Sequence, residues 1–160
     1  MSSAPPQHAW IALGSNLGQR AQNLDQALSL LRQTPGVQVG RVSTYLDNPA
    51  VGGPADAPPF LNAVAELLTT LEPLPLLDHL LDIERQMGRI RQQRWEPRII
   101  DLDLLLYEQR VCDTPQLQLP HPRLYQRLFV LRPLAQIAPT LMHPVLGKTV
   151  AQLLSELESA

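Results

Sequence analysis

The stretch Phe60-Leu-Asn-Ala-Val-Ala-Glu-Leu-Leu-Thr-Thr-Leu71 decides the fold, because its leucines and alanines suit either a helix or a strand. At a period of two, Phe60, Asn62, Val64 and Glu66 share one face, Leu61, Ala63, Ala65 and Leu67 share the other, and Glu72-Pro73 stops the run. We therefore read it as a strand. Upstream, residues 47 to 59 hold four prolines and two glycines and read as a loop. Before that loop, Val37 to Tyr45 carries β-branched alternation and reads as a strand. Leu24, Ala27, Leu28 and Leu31 recur at helical spacing, which predicts a helix over about 19 to 33, closed by Pro35-Gly36. The apolar run from His8 to Leu13 reads as the first strand, ending in a tight turn at Gly14-Ser15-Asn16.

Downstream, Leu76, Leu77, Leu80, Ile83 and Met87 predict a helix over 74 to 87, ended by Gly88. An arginine-rich loop and a strand from Ile99 to Tyr107 come next, then a hairpin region from Cys112 to Leu119. A helical run near 123 to 137 and a last helix near 149 to 158 complete the chain. Strand, helix, strand repeated once describes a split βαβ pair. The expected fold class is α+β: a ferredoxin-like antiparallel sheet with helices on its faces, plus an extra hairpin and C-terminal helices. At 160 residues we expect one domain, 1–160, with residues 1–7 flexible.

Hydrophobic residues at 44% and charged residues at 18% exclude disorder. No apolar run approaches the length needed to span a bilayer, and Met1 to His8 lacks the basic and apolar regions of a secretory leader. Cys112 is the single cysteine, so neither an internal disulfide nor a multi-cysteine zinc site is available. We expect a cytoplasmic protein that contacts no membrane. The net charge of −2 argues against nonspecific binding of polyanions. Yet all the cations except Lys148 are arginines, and Arg85, Arg89, Arg91, Arg94 and Arg98 fall within fourteen residues. Guanidinium forks suit phosphate oxygens.

Asp101 and Asp103 lie two apart in a strand, so both carboxylates face one way with Cα atoms about 6.6 Å apart. Ile100, Leu102, Leu104 and Leu106 take the opposite face. Two carboxylates in so apolar a strand are costly unless cations compensate, and the upstream arginines supply them. The pair fits a grip for Mg²⁺, with phosphate oxygens and waters completing the shell; two solvated aspartates on a sheet face fit the spacing equally. There is no Gly-x-x-x-x-Gly-Lys-Ser/Thr run, which excludes a P-loop kinase. Phe129 fits a helix core as well as a stacking surface, and His121 between two prolines fits a plain turn. His8, His79 and His143 read as structural.

The run Gly88-Arg-Ile-Arg-Gln-Gln-Arg-Trp-Glu-Pro-Arg-Ile-Ile-Asp-Leu-Asp103 resembles the signature of the 6-hydroxymethyl-7,8-dihydropterin pyrophosphokinase family. Gly14-Ser-Asn-Leu-Gly18, Phe60-Leu-Asn-Ala63, Pro120-His121-Pro122, Arg127-x-Phe129-Val-Leu-x-Pro-Leu134, Ile137-Ala-Pro139 and His143-Pro-x-Leu-Gly147 follow the family's order. The resemblance implies transfer of the β,γ-pyrophosphoryl group of ATP to the pterin hydroxymethyl oxygen, with release of AMP, in folate biosynthesis. It implies two Mg²⁺ ions bound with ATP on Asp101 and Asp103, and the catalytic set Arg89, Arg98, Asp101 and Asp103. It further implies ATP contacts at Arg91, Trp95, Arg98, His121 and Arg127, with Arg89 and Trp95 on a loop that closes over the site. Pterin contacts fall at Pro49, Val51, Phe60, Asn62 and Phe129. Both substrates are small molecules, no nucleic acid is involved, and a monomer is expected.

The chain departs from the family pattern at several points. Glu96 stands where a small residue is usual, Pro122 and Phe60 where some members have tyrosine, and Gln116 and Gln118 where some have arginine and threonine. Glu84, one turn before Gly88, is a candidate for orienting an arginine. An RNA-binding module on a similar sheet is disfavoured: aromatics are 4%, and no Lys/Arg-Gly-Phe-Gly-Phe-type run occurs.

Overall fold

The computed structural model of the chain describes residues 5–48, 59–88 and 99–160. Pro49, Val51, Arg89, Arg91, Trp95 and Arg98 lie outside the described residues, as do Arg94 and Glu96. The elements in order are β1 (Gln7–Ser15), α1 (Arg20–Arg32), β2 (Val37–Val42), β3 (Leu46–Asn48), β4 (Phe60–Thr69), α2 (Pro73–Gln86) and β5 (Asp101–Tyr107). They continue with β6 (Cys112–Asp113), β7 (Gln118–Leu119), a 3₁₀ turn (Leu124–Gln126), α3 (Leu128–Ile137) and α4 (Val150–Ser159). The main sheet runs β2-β4-β1-β5, with β3 also on β4, and every pairing is antiparallel. This is the expected ferredoxin-like arrangement, and Phe60–Thr69 is a strand, as the period-two pattern predicts.

Burial follows the two faces of that sheet. Ile11, Leu13, Ala63, Ala65 and Leu67 pack against Leu24 and Leu31 of α1 and Leu76 and Leu80 of α2. Trp10, Val64, Leu105 and Leu106 pack on the other face against Val130, Leu131 and Leu134 of α3 and Val150 and Leu153 of α4. Alternation along each strand is what feeds two cores from one sheet. Among the described residues no helix is long and apolar enough to cross a membrane.

β1 begins at Gln7, paired with Thr69. The structure corrects three expectations about where elements begin and end. β1 runs on through Ser15, so Gly14 is a strand residue rather than a turn residue. The predicted 37–45 strand stops at Val42 and resumes as β3. In between, Ser43 keeps the edge attached to β4: its N–H donates to the Val64 carbonyl and its Oγ accepts from Val64 N, both at 2.9 Å. The helical run near 123–137 is broken at Arg127, whose backbone is extended.

Leu106 is also displaced from its expected face. Trp10 pairs with Leu106 while Ile11 pairs with Leu104, so Leu105 is an extra residue on β5. Such a bulge flips the alternation. Leu102 and Leu104 therefore join the α1–α2 core, whereas both Leu105 and Leu106 join the α3–α4 core.

Candidate active site

The ladder itself assembles the site. Asn62 of β4, Gly14 of β1 and Asp101 of β5 pair in one row, and Val64, Ala12 and Asp103 form the next row. Directly paired residues project to the same face, so Asn62, Asp101 and Asp103 share the face that carries α3 and α4. At about 4.8 Å per strand, the Asn62 and Asp101 Cα atoms are about 10 Å apart. Cover thins along the second row: Val64 is fully buried, while Asp103 is exposed and Asp101 half-buried. Asp103 is therefore in the open and Asp101 only half-buried, short of the full burial that the apolar strand suggests.

Gly14 makes the apolar half of the site possible. A Cβ there would lie 2.8 Å from Asn62 Nδ2 and 3.4 Å from the Phe60 ring, so only a residue without a side chain lets both lie against β1. Asn62 is buried; its Nδ2 donates to the Leu13 carbonyl at 3.5 Å, and its Oδ1 has no partner among the described residues. A buried acceptor without a donor costs about 1–3 kcal/mol. A ligand N–H would relieve that cost.

Next to β5, a cleft of about 360 Å³ opens between α2 and the β6–β7 hairpin, lined by Leu77, Leu81, Asp101, Asp103, Gln116 and His121, among others. Gln118 lines it too. Leu77 and Leu81 give it an apolar wall that their helical spacing alone marks only as core or surface. Glu84 also lines the cleft, and its Oε2 accepts from Leu102 N at 2.7 Å. That N–H lies between the two aspartates on a strand at the end of the sheet, where backbone donors otherwise need water. Glu84 thus holds the backbone that carries the carboxylates, a task its sequence position did not reveal.

His121 N donates to the Leu105 carbonyl at 2.8 Å, which pins the segment after β7 to β5. Its Nδ1 accepts from Arg123 N at 3.3 Å, leaving Nε2 to carry the proton of the neutral ring. Burial holds its pKa below the ordinary value; Asp103 acts in the opposite sense, and Arg127 and Arg123 deepen the depression. The Arg127 guanidinium sits 5.5 Å from the centre of the Phe129 ring, within cation–π range. Phe129 is half-buried on the first turn of α3 and packs on the edge of the α3–α4 core, so it is partly core and partly surface. Pro133 has no N–H to give the Phe129 carbonyl one turn earlier.

Of the residues singled out from sequence, Asp101, Asp103 and His121 line one cleft. Arg127 is near enough to His121 to depress its pKa and lies against the Phe129 ring, and Phe60 and Asn62 meet at Gly14, which is in register with Asp101. Two carboxylates, a neutral imidazole and a guanidinium beside an aromatic and an orphaned amide can hold a polyphosphate next to a flat polar heterocycle.

Residues 10–139 match the profile of the family described as 7,8-dihydro-6-hydroxymethylpterin-pyrophosphokinase (HPPK). The chain is 48% identical over 129 residues to the 2-amino-4-hydroxy-6-hydroxymethyldihydropteridine pyrophosphokinase of Bacillus subtilis, covering 81% of this chain and 77% of that one. It is 43% identical over 150 residues to the Pseudomonas aeruginosa protein of the same name, covering 93% and 91%. In structure it is similar to Plasmodium falciparum HPPK-DHPS with pteroate, at a TM-score of 0.75 and 16% identity, covering 99% of this chain and 44% of that one.

Proposed function

The chain belongs to the 7,8-dihydro-6-hydroxymethylpterin pyrophosphokinase family, and from that premise we propose that the face bearing Asn62, Gly14 and Asp101 carries the family's reaction. The enzyme transfers the pyrophosphoryl group of ATP to the hydroxymethyl group of 6-hydroxymethyl-7,8-dihydropterin, giving the pterin diphosphate and AMP in folate biosynthesis. The observation that carries the assignment of the site is the cross-strand row. It sets a buried amide, whose acceptor has no partner among the described residues, about two strand spacings from a carboxylate pair on one face of one sheet.

In this reading the pterin lies by Phe60 and Phe129, with Asn62 Oδ1 accepting from a ring N–H or amino group. Pro49 and Val51 belong to the same half-site by resemblance. The triphosphate lies in the cleft beside His121 and Arg127, with Arg89, Arg91, Trp95 and Arg98 completing its contacts by resemblance. The hydroxymethyl oxygen forms a bond to the β-phosphorus and gives up its proton to solvent, and the bond from that phosphorus to the oxygen bridging to the α-phosphate breaks, its electron pair leaving with AMP. Holding these two atoms in line while shielding the phosphate charge is most of the catalysis.

Asp101 and Asp103 fit Mg²⁺. Both are hard oxygen donors on one face of β5, and among the described residues no group of three or more potential ligands forms a closed cage. Such a pair suits an ion that keeps waters and arrives with phosphate oxygens. When bound, Mg²⁺ neutralises phosphate charge and polarises the phosphorus under attack. Glu84 keeps the strand beneath the pair in place, and neutral His121 offers Nε2–H to a phosphate oxygen. The same proposal has the protein act in the cytoplasm as a monomer. The lone cysteine and the placement of both half-sites on one chain support that.

The test is product analysis with purified protein, MgATP and 6-hydroxymethyl-7,8-dihydropterin. AMP formed one-for-one with pterin consumed, and lost without Mg²⁺, is the expected result. ADP as product would overturn pyrophosphoryl transfer, and full turnover in EDTA would overturn the metal assignment.

A further inference from the structure

We propose that Arg20 is a positioning residue for the pterin half-site. The proposal rests on the reading of Phe60 and Asn62 as pterin contacts. Arg20 is the first residue of α1, and its Nη1 donates to the Pro59 carbonyl at 3.0 Å and lies 2.8 Å from Asp47 Oδ1. Asp47 belongs to β3, where it pairs with Leu61 while Asn48 pairs with Phe60. Pro59 immediately precedes Phe60. One guanidinium nitrogen therefore ties both strands together at the Asn48–Phe60 end of the β3–β4 pair.

Three features argue that this tie positions a ring rather than merely decorating a surface. First, β3 has only three residues, and a strand that short at a sheet edge separates readily unless something else holds it. Secondly, a cation at a helix N-terminus opposes the helix dipole, and the first turn of α1 contains no acidic residue to offset it. The local cost is met from outside the helix, by Asp47 and by the Pro59 carbonyl. Thirdly, the anchor is stiff at its base: Leu24, Ala27, Leu28 and Leu31 of α1 are buried, and Asn23 Nδ2 binds the Leu17 carbonyl at 2.8 Å and Ser15 Oγ at 3.1 Å. Phe60 is then fixed from two directions. Gly14 receives its ring, and Arg20 holds the carbonyl just before it. The Arg20 contacts to Pro59 and Asp47 do not reach the carboxylate cleft, so ATP binding does not depend on them.

Arg20→Met, Arg20→Lys and Asp47→Asn would be compared with the unsubstituted protein by pterin affinity, from the intrinsic fluorescence of the bound heterocycle, by KM for each substrate, and by thermal midpoint. We expect Arg20→Met to weaken pterin affinity and raise pterin KM by about five- to tenfold, with ATP KM within about twofold. Arg20→Lys keeps one donor in reach of both partners and recovers part of the loss, and Asp47→Asn, which spares the Pro59 bond, has the smaller effect. Unchanged pterin affinity in Arg20→Met would overturn the proposal. So would a parallel loss of pterin affinity, ATP affinity and thermal midpoint, which marks general destabilisation. Failure of the unsubstituted protein to bind the pterin would overturn the site reading beneath it, an outcome distinct from an effect confined to the variants.

Discussion

At the scale of single residues, the site rests on a few positions whose neighbours leave no alternative. Asp101→Asn and Asp103→Asn each remove a hard anionic donor from β5 while keeping the size of the side chain. Each should lower kcat by at least about 10²-fold in an AMP-release assay, with the far-UV spectrum and thermal midpoint nearly unchanged. Gly14→Ala acts on the other half-site. Its methyl group would meet Asn62 Nδ2 at 2.8 Å, so we expect a loss of about 1–3 kcal/mol in stability and a rise in pterin KM larger than any rise in ATP KM. An equal rise in both would mean that Gly14 serves the sheet and not the pterin. Of the candidate residues with chemistry in their side chains, Asp101 and Asp103 stand out in the sequence by their spacing, whereas Asn62 and His121 are singled out only through the family resemblance. The supporting roles were not legible. Gly14 read as turn chemistry because a glycine's lack of Cβ looks the same in a strand as in a turn, and Glu84's hold on Leu102 N is a contact across 18 positions that no local pattern encodes.

At the scale of elements, β5 shows where periodicity gives out. Seven residues of Asp, Leu and Tyr carry a clean alternation up to Leu104, and the pattern alone puts Leu106 on Leu104's face. The bulge at Leu105 overrides it, because two cores compete for the end of the strand and one extra residue lets β5 supply leucines to both. Leu106 is fully buried in the α3–α4 layer, so Leu106→Ala should cost about 2–5 kcal/mol in denaturant unfolding. The sharper readout is hydrogen exchange. Amides of α3 between Val130 and Ile137 should exchange faster, with α1 and α2 little changed; the reverse pattern would place Leu106 on the other face. The ambiguous 60–71 stretch came out as a strand for the same reason that Leu106 was misplaced, since both expectations rest on strict alternation and only one segment keeps it. The break at Ser43–Tyr45 was hidden likewise, because a serine Oγ standing in for a ladder partner leaves no trace in hydropathy.

At the scale of the whole molecule, helices on both faces leave few titratable groups buried, and two histidines stand out. The sequence shows a tail with two helices but not the face they cover, because that follows from Trp10 and Val64, far apart in sequence but on neighbouring strands, needing a lid. The segment that turns the chain from α3 to α4 depends on His143. It is buried, and its Nδ1 accepts from Val145 N at 3.2 Å and Leu146 N at 3.0 Å, bonds that only an unprotonated Nδ1 can make. Burial depresses its pKa below the ordinary 6.5, and burial is the largest cause for His121 as well. The sign follows from linkage. Below about pH 6.5 the unfolded chain takes up protons on these rings that the folded chain refuses, so unfolding gains. Stability is therefore complete above about pH 6.5 and declines as pH falls from there toward the depressed folded-state values. Denaturant midpoints measured from pH 7.5 down to 5 should be flat and then fall. His143→Asn, which keeps a neutral acceptor and removes the titration, should flatten the part of that fall that belongs to the α3–α4 turn. A variant whose midpoint tracks the unsubstituted protein at every pH would show that protonation of His143 is not what loosens this layer.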